Sequence, residues 1–150
     1  MSNIRVKEDV CSGCLSCVAA CSLSHDGYAS PSSARLRVNI ELFGKNQINF
    51  CRQCRNALCA KACPEDAIAR ASEDDPWLID YDKCTNCREC IQACPFNAIL
   101  WDSLQKRVIK CDLCGGETPA CVDACPTGAL SIMGAESEAA EAAKVKGEKE

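Results

Sequence analysis

Sixteen of the 150 residues are cysteine, and all sixteen fall into four compact groups. We name these groups quartets I to IV in chain order. They consist of Cys11, Cys14, Cys17 and Cys21 (I); Cys51, Cys54, Cys59 and Cys63 (II); Cys84, Cys87, Cys90 and Cys94 (III); and Cys111, Cys114, Cys121 and Cys125 (IV). Because no cysteine is left over, any fold of this chain has to accommodate four separate clusters of thiols.

The spacing within the quartets is that of iron–sulfur ligands. Quartets I and III read C-x2-C-x2-C-x3-C, the spacing of bacterial [4Fe–4S] ferredoxins, and quartets II and IV lengthen the middle gap. Proline follows the last cysteine of three quartets, as Pro64, Pro95 and Pro126, whereas Ser22 follows quartet I. The pattern predicts four [4Fe–4S] clusters, the cofactors of an electron carrier.

Disulfide bonds and zinc sites could also account for so many cysteines. Disulfide scaffolds are typical of secreted proteins, but the first residues show neither the apolar stretch nor the twin arginine of an export signal. Structural zinc sites commonly use two cysteine pairs separated by a longer loop, unlike these compact quartets. Iron–sulfur clusters therefore explain the cysteines best, and a zinc-bound interaction module is the weaker alternative.

Composition excludes several other classes of protein. No segment reaches the roughly 20 apolar residues of a membrane-spanning helix, so we expect no membrane span and a cytoplasmic, anaerobic protein. The formal charge of −4 becomes more negative once the thiolates bind clusters, which disfavours a nucleic-acid partner. Since only 5% of the residues are aromatic, the clusters must supply much of the core, and folding should depend on them.

The segments around the quartets repeat one α+β unit. Extended segments are predicted before the quartets at Ile4–Val6, Gln47–Phe50, Trp77–Tyr81 and Arg107–Ile109, and after three of them at Ala67–Arg70, Ala98–Trp101 and Ala129–Met133. Each C-x3-C segment predicts a short helical turn, which the following proline ends in quartets II to IV. Strand, cluster loop, short helix and strand together form the small ferredoxin fold.

Two regions lie outside this repeat. In the insert 22–50, Arg35–Leu42 alternates apolar and polar residues before a turn, which predicts a β-hairpin that covers one cluster. Residues 134–150 lack aromatic residues, leucine and isoleucine, as a frayed tail would, yet alanines recur there at helical spacing. We expect this tail to form a helix that docks on a partner subunit.

Across about residues 1–133, the chain resembles the four-cluster electron-transfer subunits of molybdenum and tungsten oxidoreductases of the dimethyl sulfoxide reductase type. The resemblance rests on the order of the quartets, on the C-x2-C-x4-C-x3-C-P spacing of quartet II and on the extended quartet IV. The sequence departs from the family pattern at Ser22, which follows quartet I where proline follows each of the other three quartets. The sequence also lacks the membrane anchor and large insertions of some members.

The resemblance implies that the outer quartets exchange their last cysteines, and that the inner ones do the same. The implied ligand sets are Cys11, Cys14, Cys17 and Cys125; Cys51, Cys54, Cys59 and Cys94; Cys84, Cys87, Cys90 and Cys63; and Cys111, Cys114, Cys121 and Cys21. The implied fold is α+β, with two interlaced 2[4Fe–4S] ferredoxin-like modules. Residues 1–21 with 102–133 form the outer module, 22–50 the hairpin insertion and 51–101 the inner module. A tandem exchange, I with II and III with IV, is the alternative.

The resemblance also implies a function without catalysis on this chain. It implies electron relay between a tungsten- or molybdenum-pterin catalytic subunit, best matched by an aldehyde oxidoreductase, and an acceptor such as a flavin subunit. The alternative is a free polyferredoxin or a carrier for hydrogenase, formate dehydrogenase or carbon monoxide dehydrogenase. Clusters near both ends would also permit self-association into oligomers or filaments. The sequence contains no glycine-rich nucleotide loop and no nucleophile–base motif of an enzyme.

A few other side chains are candidates for roles near the clusters. His25, the single histidine, lies in a segment rich in serine and glycine and is expected at the surface. Trp77 and Trp101 are expected to cover clusters or to fill a partner interface. Basic residues beside ligands either balance charge in solvent or raise a cluster's potential, and these are Arg52, Arg55, Arg88 and Lys110.

Overall fold

The computed structural model describes residues 4–133, and the predicted tail helix in 134–150 lies outside them. Eight short strands are found in the described part. They are β1 (Ile4–Val6), β2 (Leu36–Asn39), β3 (Gln47–Phe50), β4 (Ile68–Ala69), β5 (Leu78–Ile79), β6 (Ile99–Asp102), β7 (Arg107–Lys110) and β8 (Leu130–Ile132). Four helices accompany them: α1 (Ser16–Asp26), α2 (Leu58–Lys61), α3 (Glu89–Ala93) and α4 (Ala120–Asp123). The predicted α+β fold class is confirmed.

The strands pair into four separate antiparallel sheets of two strands each, β1 with β8, β2 with β3, β4 with β5 and β6 with β7. The first pair joins the two ends of the described residues, since Val6 faces Leu130 and the N–H of Lys7 donates to the carbonyl of Ala129 at 2.7 Å. Because α1 also packs against α4 and α2 against α3, the segments of quartets I and IV lie together, as do those of II and III.

The hairpin predicted in the insert is confirmed, but its first strand is shorter than the alternation suggested. Leu36 pairs with Phe50 and both are buried. Ile40 and Leu42 were predicted to share that apolar face, yet their residues are 58% and 85% exposed. The strand ends at Asn39 because the side chain of Asn46 closes the loop, accepting from the N–H of Glu41 at 3.0 Å.

The helical turn of quartet I is much longer than predicted. Helix α1 has 11 residues, whereas α2, α3 and α4 have four or five and end just before a cysteine–proline pair. Ser22 is the reason, since it can continue a helix where proline cannot. Its buried hydroxyl donates to the carbonyl of Val18 at 3.2 Å and accepts from the N–H of Ser30 at 2.9 Å.

The protein has two small hydrophobic cores among the described residues, one around quartets I and IV and the other around quartets II and III. The first combines Ile4, Leu36, Phe50 and Leu130 with cysteines of quartets I and IV. The second packs residues such as Ile99 around cysteines of quartets II and III. Thiols therefore contribute to both cores, which places the quartets inside the packed parts of the protein. Within residues 4–133, no helix has the length and apolar character needed to traverse a bilayer.

Candidate metal centres

Among residues 4–133, three cavities are each lined by three cysteines of one quartet and the last cysteine of another. Their cysteines are, in turn, Cys84, Cys87, Cys90 and Cys63; Cys51, Cys54, Cys59 and Cys94; and Cys111, Cys114, Cys121 and Cys21. The linings are predominantly apolar apart from the thiols. In each quartet the first two cysteines precede a helix and the third lies within it. The fourth lies within α1 in quartet I and just after the short helix in quartets II to IV, and in three of the quartets it reaches the cavity of another quartet.

The remaining cysteines form a fourth group around Cys17. Burial raises the pKa of the Cys17 thiol to about 11, and charges on Cys125, Cys11 and Cys14 add to that effect. Cys125, the last cysteine of quartet IV, is therefore a close neighbour of quartet I. Cys14 is exposed, so this group borders solvent.

Crowding and burial make several of these thiols hard to ionise in the absence of metal. Burial raises the pKa of Cys90 to about 11 and those of Cys111 and Cys121 to about 12, with charges on neighbouring cysteines adding to each shift. Metal ions offset this cost because they bind the thiolate form, so loading should release protons. Four soft sulfur donors around an apolar cavity fit a [4Fe–4S] cluster.

Backbone N–H groups point at the sulfur of the last cysteine in three quartets. The donor–acceptor pairs are Arg35 to Cys21 at 3.3 Å, Ala67 to Cys63 at 3.3 Å, and Ala98 to Cys94 at 3.4 Å. Such donors stabilise negative charge on sulfur and thereby tune the reduction potential of an attached cluster. The backbone around these three cysteines thus donates hydrogen bonds to their sulfur atoms and would stabilise negative charge on them.

His25 is not a surface residue, so that prediction was wrong. It lies in the last turn of α1, and its side chain is 11% exposed. Its Nδ1 is 2.7 Å from the carbonyl oxygen of Cys21 and its Nε2 is 3.0 Å from Oδ1 of Asp112. Since both partners are acceptors, both nitrogens must donate, and His25 is protonated. The hydrogen bond to Asp112 raises the pKa of His25 to about 12.

Asp112 connects His25 to the loop of quartet IV. Burial alone would raise the pKa of Asp112, but the His25 hydrogen bond and the charge of Arg35 outweigh it and hold that pKa well below its usual range. Arg35 donates to Oδ2 at 2.5 Å, and the N–H of Cys114 donates to Oδ1 at 3.0 Å. The His25, Asp112 and Cys114 ligand atoms lie within 4.8 Å of one another, and we regard them as the surroundings of the quartet IV site.

The basic residues next to ligands divide into two kinds. Arg52, Arg55 and Arg88 are exposed, and the Arg88 guanidinium lies 3.7 Å from the centre of the Trp101 ring. Lys110 is only 3% exposed, and its Nζ donates to the carbonyls of Trp77 and, at 3.1 Å, Cys111. Solvent screens the arginine charges, whereas the lysine charge is shielded from water.

Trp77 and a glutamine that the sequence did not single out complete the quartet II site. Trp77 lines its cavity, and the indole N–H donates to the carbonyl of Cys54 at 2.9 Å, as expected of a residue that covers a cluster. Gln53 is 2% exposed, donates to the carbonyl of Cys111 at 2.8 Å and accepts from the N–H of Trp77 at 2.9 Å. Its amide therefore bridges the loops beside quartets II and IV. Nothing in a C-x2-C loop signals that role.

The sequence matches two family models, "4Fe-4S dicluster domain" over residues 45–135 and "4Fe-4S binding domain" over residues 8–27. It is 38% identical over 123 residues to the "Aliphatic sulfonate oxidoreductase, polyferredoxin-like subunit" of Pyrococcus furiosus, covering 81% of this chain and 70% of that protein. It is 30% identical over 138 residues to the "Thiosulfate reductase electron transfer subunit PhsB" of Salmonella typhi, covering 83% of this chain and 71% of that protein.

Solved structures share the fold. One subunit of the "Active site complex BamBC of Benzoyl Coenzyme A reductase in complex with Benzoyl-CoA" superposes with a TM-score of 0.52 at 26% sequence identity. The alignment covers 97% of this chain and 89% of that subunit.

Proposed function

Since this protein belongs to the 4Fe-4S dicluster domain family, we propose that it holds four [4Fe–4S] clusters and relays electrons between a catalytic subunit and an acceptor. The observation that carries the proposal is the grouping of all sixteen thiols into four sets of four. The protein is an iron–sulfur electron-transfer subunit of an oxidoreductase complex, in agreement with the names of its relatives, and not the catalytic subunit.

The proposed ligand sets cross between quartets: Cys11, Cys14, Cys17 with Cys125; Cys51, Cys54, Cys59 with Cys94; Cys84, Cys87, Cys90 with Cys63; and Cys111, Cys114, Cys121 with Cys21. The cavity linings support this exchange over the tandem one. A tandem exchange would need Cys63 beside quartet I, but Cys63 lines the cavity of quartet III. The proposed modules, 1–21 with 102–133 and 51–101, are supported by the pairing of β1 with β8 and by the two small cores.

The residues of the protein would hold the clusters and control their charge. Bound [4Fe–4S] clusters supply reversible one-electron chemistry. Thiolates from two quartets fix each site, and backbone N–H groups at Arg35, Ala67 and Ala98 stabilise the negative charge of the sulfur atoms. Trp77 and the apolar linings limit the access of water, which also affects potential.

The proposed partner is a tungsten- or molybdenum-pterin subunit, best matched by an aldehyde oxidoreductase, with a flavin or similar subunit as acceptor. The relatives named for sulfonate and thiosulfate enzymes support an oxidoreductase partner in general. The hairpin tip supports a stable complex, because Leu42 is 85% and Phe43 99% exposed. The same loop contacts quartet I through Asn46, which donates to the carbonyl of Cys11 at 2.9 Å.

Iron content and co-purification test the function. The native complex should contain about sixteen irons per copy of this chain, with tungsten or molybdenum on the partner. Phe43→Ser should weaken association without loss of iron. Purification of a fully loaded single protein, with no partner at any concentration, would instead favour the free polyferredoxin. Sedimentation that changes with concentration would support the proposed self-association.

The ligand exchange is tested with Cys125→Ser. Under the proposed exchange, Cys125→Ser should remove or alter the same electron paramagnetic resonance component as Cys14→Ser. Cys87→Ser is the matched comparison, since Cys14 and Cys87 are both exposed and each is the second cysteine of its quartet. Agreement of Cys125→Ser with Cys87→Ser would establish the tandem exchange instead.

A further inference from the structure

Lys110 is a buried cation without a carboxylate partner in the described part of the chain. It is the last residue of β7 and is 3% exposed. Its Nζ donates to two neutral backbone carbonyls, those of Trp77 and Cys111. Within residues 4–133, the ion pairs found involve other basic residues. A charged amine is costly to bury without an opposite charge, so a negative group has to face it.

The negative group that the geometry offers is the quartet II site. Lys110 lines the same cavity as Cys51, Cys54, Cys59 and Cys94. Burial raises the pKa of Cys59, and the charge of Lys110 opposes that rise. Four thiolates around an iron–sulfur core leave a net negative charge in this cavity, and the ammonium group lies at its wall.

The cations near two other sites are held differently. His25 and Arg35, beside quartet IV, are both bonded to Asp112, whose carboxylate offsets part of their charge. Arg88, which lines the quartet III cavity, is exposed and stacks on Trp101. Lys110 therefore combines burial with the lack of an ion-pair partner within the described residues.

We propose that Lys110 is the counter-charge of the cluster held by Cys51, Cys54, Cys59 and Cys94, and that it raises the reduction potential of that cluster. This inference rests on the proposed function. Reduction by an external one-electron donor adds one negative charge to the site. A nearby fixed positive charge favours the more negative state, and burial keeps water from screening it.

The test is a redox titration of the full, cluster-loaded protein followed by electron paramagnetic resonance. Lys110→Gln keeps hydrogen-bond donors for the two carbonyls but removes the charge, and Lys110→Met removes both. Each should lower the midpoint potential of one component, with at least about a tenfold change in its reduced-to-oxidised ratio, or about 59 mV for one electron. That component should be the one that Cys54→Ser removes or alters. Lys110→Arg keeps the charge and should leave its potential close to that of the unsubstituted protein.

Each outcome decides the proposal. Four unchanged potentials in fully loaded Lys110→Gln, or a shift in a component that Cys54→Ser does not affect, would overturn it. If both neutral variants lose about four irons while Lys110→Arg keeps all of them, a charge requirement is established. Equal loss in all three variants would show that Lys110 acts by packing. Fewer than four clusters in the unsubstituted protein would contradict the proposed function itself, independently of Lys110.

Discussion

The sites of quartets II and IV both have positive charge beside their thiols, but they hold it in different ways. Near quartet IV, His25 from α1 and Arg35 from the hairpin insert share the carboxylate of Asp112. Near quartet II, Lys110 donates to two neutral carbonyls, and Arg52, which lines the same cavity, is exposed. The first arrangement ties three segments of the protein together, and the second places an unshared charge next to a cavity. The charges around Asp112 hold the quartet IV site together, whereas the charge of Lys110 is proposed to raise the reduction potential of the quartet II cluster.

The largest effect is expected from Asp112→Asn, which breaks the shared arrangement. Removal of one partner from a fully buried ion pair typically costs about 3–5 kcal/mol, because the other charge is left unpaired, and the cost is smaller here because the Asp112 side chain is 22% exposed. The quartet IV cluster should be lost first during denaturant titration, followed through the visible absorbance. Asp9→Asn is the matched control, since Lys45 and Asp9 pair with side chains that are 68% and 69% exposed, and it should change nothing measurable. Equal stability of both variants would contradict a structural role for Asp112.

The pH dependence of stability should reveal the same arrangement. The raised pKa of His25 means that its contribution is complete below about 6.5, its ordinary value, and is lost as pH rises toward about 12. The difference in unfolding free energy between the unsubstituted protein and His25→Asn should therefore shrink by about 1.4 kcal/mol per unit above about pH 6.5. Asp112, with its lowered pKa, contributes above about pH 4 and less as pH falls below it. A difference at about pH 9 that is no smaller than the difference at about pH 6 would show that His25 is not protonated in the folded protein.

Gln53→Ala should have an intermediate effect, because it cuts the bridge between the two sites. The substitution leaves the N–H of Trp77 without its partner, whereas the carbonyl of Cys111 still accepts from Nζ of Lys110. A buried polar group left unpaired costs about 1–3 kcal/mol. Thermal loss of visible absorbance should therefore occur at lower temperature, whereas Gln92→Ala, at an exposed position on α3, should behave as the unsubstituted protein. A neutral Gln53→Ala would mean that water replaces the amide.

The sequence predicted what depends on local spacing and missed what depends on distant contacts. The cysteine quartets, the short strands around them and the hairpin follow from spacing, prolines and alternation within a few residues. His25 and Asp112 are 87 positions apart, and Gln53 and Cys111 are 58 apart, so no local pattern could pair them. The exposure of Ile40 and Leu42 was missed for a related reason, since the alternation continues past Asn39, where pairing with β3 stops.

The smallest effect is expected from Arg88→Gln, which sharpens the contrast between an exposed and a buried cation. Arg88 stacks on Trp101 at 3.7 Å but is exposed, and such contacts contribute about 0.5–1 kcal/mol. Its charge is screened by water, so the potential of the quartet III cluster should move far less than that of quartet II does in Lys110→Gln. Potentiometric titration of both variants measures this directly. A shift in Arg88→Gln as large as that in Lys110→Gln would show that proximity to the ligands, and not burial, decides how a cation tunes these sites.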